Sequence, residues 1–155
     1  HGVRSIREKV MYKQILVPVD LNENGFSDRA VELAVWHAKQ SNAEIHLLNV
    51  LPGMHMSMVA SYFPKDAAQQ MRGEVEKQLK QFAQQHIDDD VVYKVHIAEG
   101  KAYKAILKYA EKLSVDLIIM PSHKRSKLDK ALLGSVTSKV VQASPISVLV
   151  VKPQG

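Results

Sequence analysis

Residues 120–136, MPSHKRSKLDKALLGSV, carry the side chains best suited to handling an anion. Gly134, Ser135 and Val136 open a helical pattern. A helix start offers backbone N–H groups without intrahelical partners and a partial positive charge. Glycine lets an anion approach the backbone closely and serine adds a hydroxyl donor, which is how many proteins hold phosphate. A plain Gly-Ser helix start is the other reading of the same residues. Ser122, His123, Lys124 and Arg125 lie in the loop ahead of it, after an apolar run that ends at Met120 and Pro121. The basic side chains either meet phosphate oxygens or form a solvated loop. His123 belongs to the cleft or is satisfied by solvent and backbone.

A second candidate ends the run VPVD, with Pro18, Val19 and Asp20. A carboxylate there can accept hydrogen bonds from a ribose or a base, or help to hold a metal. Asp also caps turns routinely, and both roles stay open. Other chemistry finds less support. The seven histidines are scattered without ligand spacing, so no metal site is expected. Met54, Met56 and Met58 alternate beside His55 and fit a core edge or partner surface better than copper. The chain has no GxxxxGK[ST], no GxSxG, no GxGxxG in its first turn and no HxGH.

The elements that must position these residues follow from periodicity. KQILVPV (13–19), AEIHLLNVL (43–51), VDLIIM (115–120) and ISVLVV (146–151) are nearly continuous apolar runs, the pattern of strands covered on both faces. VVYKVHI (91–97) alternates like an edge strand and is closed by Gly100. Between them lie four helical patterns. The first is capped by Ser27 and runs to Gln40, with Ala30, Val31, Ala34, Val35 and Ala38 inward. The second spans 65–85 with a stripe at Ala68, Met71, Val75, Leu79 and Phe82. The third spans 101–113 with Ala102, Ile106, Tyr109, Ala110 and Leu113 inward, and the fourth runs from Ser135 to Gln142. The stretch PGMHMSMVASYFP has no clear period, and Asp88 to Asp90 form a turn. This β-α order predicts a single-domain α/β fold, a five-stranded parallel sheet with helices on both faces. Ligands of such sheets bind beyond the strands' carboxyl ends, where strand order reverses.

Composition sets wider bounds. The 155 residues suit one domain, with 46% hydrophobic and 24% charged residues and a net charge of +5. The few aromatics are not interleaved with basic residues, which argues against nucleic acid. The absence of cysteine excludes disulfides, thiolate metal sites and cysteine nucleophiles. No apolar run reaches the length of a membrane span, and HGVRSIREKV lacks the apolar centre of a signal peptide. A cytoplasmic protein is expected, with residues 1–10 a tag remnant or flexible extension and 11–155 the domain.

Together the runs MYKQILVPVD, DLIIMPSHKRSKLDKALLGSVTSKVV and SPISVLVVK resemble the universal stress protein family, from Met11 to about Lys152. Within it the chain looks most like the small F/G-type members. The resemblance implies a Rossmann-like fold of the adenine nucleotide alpha hydrolase type. It also implies ATP, with or without Mg²⁺, and a dimer formed through the last strand. Nucleotide-binding members carry G-x-x-G, nine residues, then G-[S/T]. Here the spacing is kept, but Pro121 and Lys124 occupy the first two glycine places. By position, Pro18 and Asp20 would line the adenine–ribose end, Val50 would present backbone to adenine, and Met120 would pack near the ribose. Gly134, Ser135 and Val136 would cradle phosphates. The basic side chains of the Ser122-His123-Lys124 loop would replace the missing glycine donors.

The expectation is an adenine-nucleotide-binding dimeric regulator of the stress response that hydrolyses ATP slowly at most. The homodimer would use residues 146–151, with a tetramer as an extension, and would serve a regulatory protein partner. The alternatives are a stress protein without nucleotide that acts through protein contacts, or an ATP-hydrolysing or adenylyl-transferring enzyme with His123 and Lys124 at the phosphates.

Overall fold

A computed structural model describes residues 12–22, 25, 27–53, 65–122 and 133–152. The expectations for residues 1–10, for Met54, Met56 and Met58, and for His123, Lys124 and Arg125 fall outside them. Among the described residues five strands alternate with four helices: β1 (Gln14–Pro18), α1 (Asp28–Ser41), β2 (Glu44–Leu51), α2 (Lys65–His86), β3 (Tyr93–Glu99), α3 (Ala102–Lys112), β4 (Leu117–Pro121), α4 (Ser135–Ala143) and β5 (Ser147–Val151). The strands form one sheet in the order β3-β2-β1-β4-β5, and every neighbouring pair is parallel.

The side-chain alternation of the strands divides the core in two. Ile15, Val17, Ile45, Leu47, Leu117 and Ile119 face α1 and the carboxyl half of α2. Leu16, Leu48, Ala98, Ile118 and Met120 face α3 and α4. Covering both faces explains why these strands read as unbroken apolar runs. The chain moves outward from β1 to β2 and β3, then α3 returns it across the sheet to β4 on the other side of β1. Strand order therefore reverses between β1 and β4.

Three local expectations need correcting. Ser27 occupies the residue before α1, yet its hydroxyl makes no cap to the helix. It accepts the N–H of Asp20 at 3.2 Å instead, so it serves the turn after β1. In α2, Leu79, Ala83 and Ile87 beyond its end are buried, Val75 and Phe82 are partly buried, and Ala68 and Met71 are exposed. The buried stripe is thus confined to the second half of the helix. The strand after the Asp88–Asp90 turn begins at Tyr93, two residues later than its pattern suggests, with Val91 buried and Val92 exposed ahead of it.

Candidate functional site

The crevice at the carboxyl ends of β1 and β4 has a visible origin. Carbonyl and amide directions alternate along β1. Lys13 O accepts Glu44 N and Val19 N donates to Leu48 O, both toward β2, while Gln14 O accepts Asp116 N toward β4. The same alternation points residue 18 toward β4. Pro18 has no N–H to give, so it cannot extend the ladder on that side. The register between β1 and β4 accordingly covers only Ile15↔Leu117 and Leu16↔Ile118, whereas β1 and β2 pair from Gln14↔Glu44 to Pro18↔Leu48. At the opposite end the two strands are clamped. The Asp116 carboxylate accepts the N–H of Lys13 at 2.9 and 3.1 Å and that of Gln14 at 3.0 Å.

The β1 wall of the crevice is fixed by three hydrogen bonds. Val19 N donates to Leu48 O at 2.8 Å, and the buried side chain of Asn49 donates to Val19 O at 2.9 Å. Asp20 Oδ1 accepts Asn22 N at 3.0 Å, the turn-capping role that its type permits. A carboxylate has two oxygens and about four lone-pair sites, so this contact leaves capacity for a ligand. Val50 lies next along β2, partly buried, at the same end of the sheet.

The β4 wall carries the start of α4. Met120 and Ser122 are buried and Pro121 is partly exposed. Ser122 N donates to Val151 O at 2.9 Å, and Ser122 O accepts Gly134 N at 2.7 Å. The hydroxyl of the buried Thr137 donates to Pro121 O at 2.8 Å. These contacts seat the helix start directly on the end of β4. The first intrahelical bond is Ser138 N to Gly134 O, so the amides of Ser135, Val136 and Thr137 have no partner inside the helix. Gly134 has φ −63° and ψ 160°, angles open to any residue. Its backbone conformation therefore does not require glycine.

The structure thus brings Pro18, Val19, Asp20, Val50, Met120, Pro121, Ser122, Gly134, Ser135 and Val136 to one end of the sheet. Asn49 and Thr137 join them, although the sequence alone marks them only as polar residues inside apolar stretches. The arrangement can hold an anion at the start of α4 and a hydroxyl-bearing group at Asp20. No group of three or more His, Asp or Glu among the described residues is placed to hold a metal ion.

Residues 11–152 match the model of the universal stress protein family. The chain is 34% identical to Universal stress protein G of Shigella flexneri over 145 residues, 92% of this chain and all of that one. It resembles the solved structure of the protein MJ0577 with a TM-score of 0.78 and 30% identity, over 94% of this chain and 99% of that one. A curated relative of the same name, from Methanocaldococcus jannaschii, is 32% identical over 92% of this chain and 96% of its own length. A more distant fold neighbour, with a TM-score of 0.60 and 23% identity over 91% of this chain and 97% of its own, is a universal stress protein solved in complex with cAMP.

Proposed function

This chain belongs to the universal stress protein family, and on that premise we propose that it is an adenine-nucleotide-binding regulator that holds ATP between β1 and β4 and works as a homodimer. The observation that carries this reading is the α4 start seated on the end of β4, next to β1, whose own end carries the Asp20 turn. Asp20 would accept from the ribose, Val50 would offer backbone to the adenine, and Gly134, Ser135 and Val136 would take the phosphates. Lys124 and Arg125 would add charged donors, with Mg²⁺ as a further neutralising group. The cAMP complex of the fold neighbour supports the nucleotide class and not the choice of ATP.

The dimer reading rests on the two edges of the sheet. On the β3 edge, the outward carbonyl of Ile97 is covered from both sides. Arg72 Nη2 of α2 donates to it at 2.7 Å, and the Tyr109 hydroxyl of α3 donates at 3.3 Å. β5 is apolar along its length, with no charged residue from Ser147 to Val151. An edge of that kind is normally paired or covered.

Titration calorimetry of ATP against the wild type and Gly134→Val tests the site. The wild type should bind and the variant should not, because a branched side chain would occupy the phosphate approach. If the wild type binds nothing at millimolar ATP and carries no nucleotide as purified, the protein-contact reading replaces this one.

A further inference from the structure

His46 and His96 lie away from the crevice, on the sheet face that α3 covers. His46 sits on β2 beside Leu16 of β1, and His96 sits on β3 beside Leu48 of β2, so the two rings are diagonal neighbours on one face. Their centroids are 5.1 Å apart. His46 Nδ1 is 2.9 Å from His96 Nε2, and His46 Nε2 is 2.7 Å from Gln14 Oε1. His46 is only 4% exposed. A line of polar contacts therefore crosses three strands through the sheet's apolar covering, outside the proposed nucleotide site.

The hydrogen bonds dictate the protons. Gln14 Oε1 only accepts, so His46 carries its proton on Nε2. His46 Nδ1 then holds a lone pair and accepts the Nε2–H of His96. In this neutral state the remaining lone pair is on His96 Nδ1. One added proton can enter there. It makes His96 an imidazolium that still donates to His46, and every bond survives in a stronger, charge-assisted form. The proton between the rings can also shift to His46, which would keep the bond to Gln14. A second proton has no place, because two N–H groups would then face each other across 2.9 Å.

We propose that His46 and His96 form a one-proton site that fastens β1, β2 and β3 and makes this half of the sheet acid-sensitive. The surroundings set when it fills. Burial pushes both imidazoles below their ordinary value. For His46, Glu44 of β2 opposes that shift and Lys94 of β3 adds to it. For His96, its partner ring, Lys112 of α3 and Lys94 add to it, and Glu44 opposes it. Lys94 and Glu44 face each other at 3.4 Å. Tyr109 of α3 packs on His96 at 5.7 Å between centroids, under the Lys112 ammonium at 5.1 Å. Asp116 stands beyond Gln14, on the amides of Lys13 and Gln14.

The sign follows from proton counts. An unfolded chain protonates both histidines near pH 6.5. The folded pair takes its first proton at lower pH and resists the second. Stability is therefore complete above about pH 6.5 and is lost as pH falls below it, because the unfolded state binds more protons there. Each excess proton changes the unfolding constant about tenfold per pH unit.

The test is ring-resolved NMR titration of the full chain, with amide hydrogen exchange of wild type and His96→Gln at pH 7.5 and 5. The Gln amide can still donate to His46 Nδ1 but cannot titrate. We expect His46 as the Nε2–H tautomer, the two rings shifting together in one step below pH 6.5, and β3 amides that exchange faster in acid, after correction for intrinsic rates, in wild type than in His96→Gln. Two rings that titrate independently near 6.5, or equal acid acceleration in both proteins, would overturn the proposal. The wild-type titration decides even if the variant does not fold, and it needs no nucleotide.

Discussion

At the scale of single residues, Asp20 carries two duties that a substitution can separate. One oxygen holds the Asn22 amide, and the proposed ligand would take further acceptor capacity. Asp20→Asn keeps an oxygen for the turn and should leave the melting temperature close to wild type. Asp20→Ala removes both duties. It should weaken ATP binding by about 1–3 kcal/mol, the usual cost of losing a buried hydrogen-bond partner, together with a small loss of stability. Calorimetry and thermal melts of both variants check this. A lower melting temperature in Asp20→Ala with unchanged affinity would leave the turn as its only role. The places of Asp20, Gly134 and Ser135 at one end of the sheet were legible in the sequence, because each follows an apolar run that reads as a strand or opens a helical pattern. Asn49 and Thr137 were not. Their roles depend on which carbonyl passes within reach, here Val19 O and Pro121 O, and spacing along the chain does not carry that information.

At the scale of elements, α1 and α2 show when a periodic pattern can be trusted. All five inward residues assigned to α1 are buried, because that 14-residue helix lies over the central strands. α2 is 22 residues long and packs by the sheet's edge on β3, which has seven. At about 1.5 Å per helical residue and about 3.3 Å per strand residue, the helix is roughly 33 Å long and the strand roughly 23 Å. The helix must overhang. Arg72, which reaches Ile97 O near the carboxyl end of β3, marks where α2 passes over the end of the strand. Ala68 and Met71 lie on the overhanging part. Their spacing continues the apolar stripe, and there is no sheet beneath them. Leu79→Ala, at a fully buried position, should therefore cost about 2–5 kcal/mol of unfolding free energy. Met71→Ala, at a position 43% exposed, should stay within about 0.5 kcal/mol. Urea denaturation of the two variants measures the difference, and a Met71 cost equal to that of Leu79 would contradict the overhang.

At the scale of the whole molecule, the two sheet edges are treated differently, and that asymmetry bears on assembly. A parallel sheet of five strands has two rows of outward backbone groups. On β3, Arg72 and Tyr109 converge on one outward carbonyl from opposite faces, and Lys94 adds an exposed charge. Long charged side chains on an edge discourage pairing with another chain. β5 has no such device between Ser147 and Val151, and its middle residues are partly exposed. Val141 on the preceding helix is 41% exposed as well. Joining two copies through β5 would cover these groups and leave both guarded edges outermost. Val150 is the informative position. It is partly exposed and is not among the side chains packed on either core, so a charge there need not disturb the fold. Light scattering at micromolar concentration should give a dimer for the wild type and a monomer for Val150→Lys, with the circular dichroism spectrum unchanged. A monomeric wild type, or a Val150→Lys protein that remains dimeric, would place the contact elsewhere or remove it. The outcome also bears on the crevice, because Val151 O accepts the Ser122 amide at 2.9 Å and thereby ties β5 to the β4 wall. Ordering β5 in a dimer would stiffen that wall, and ATP affinity in Val150→Lys, at the position paired with Met120 on β4, should fall modestly.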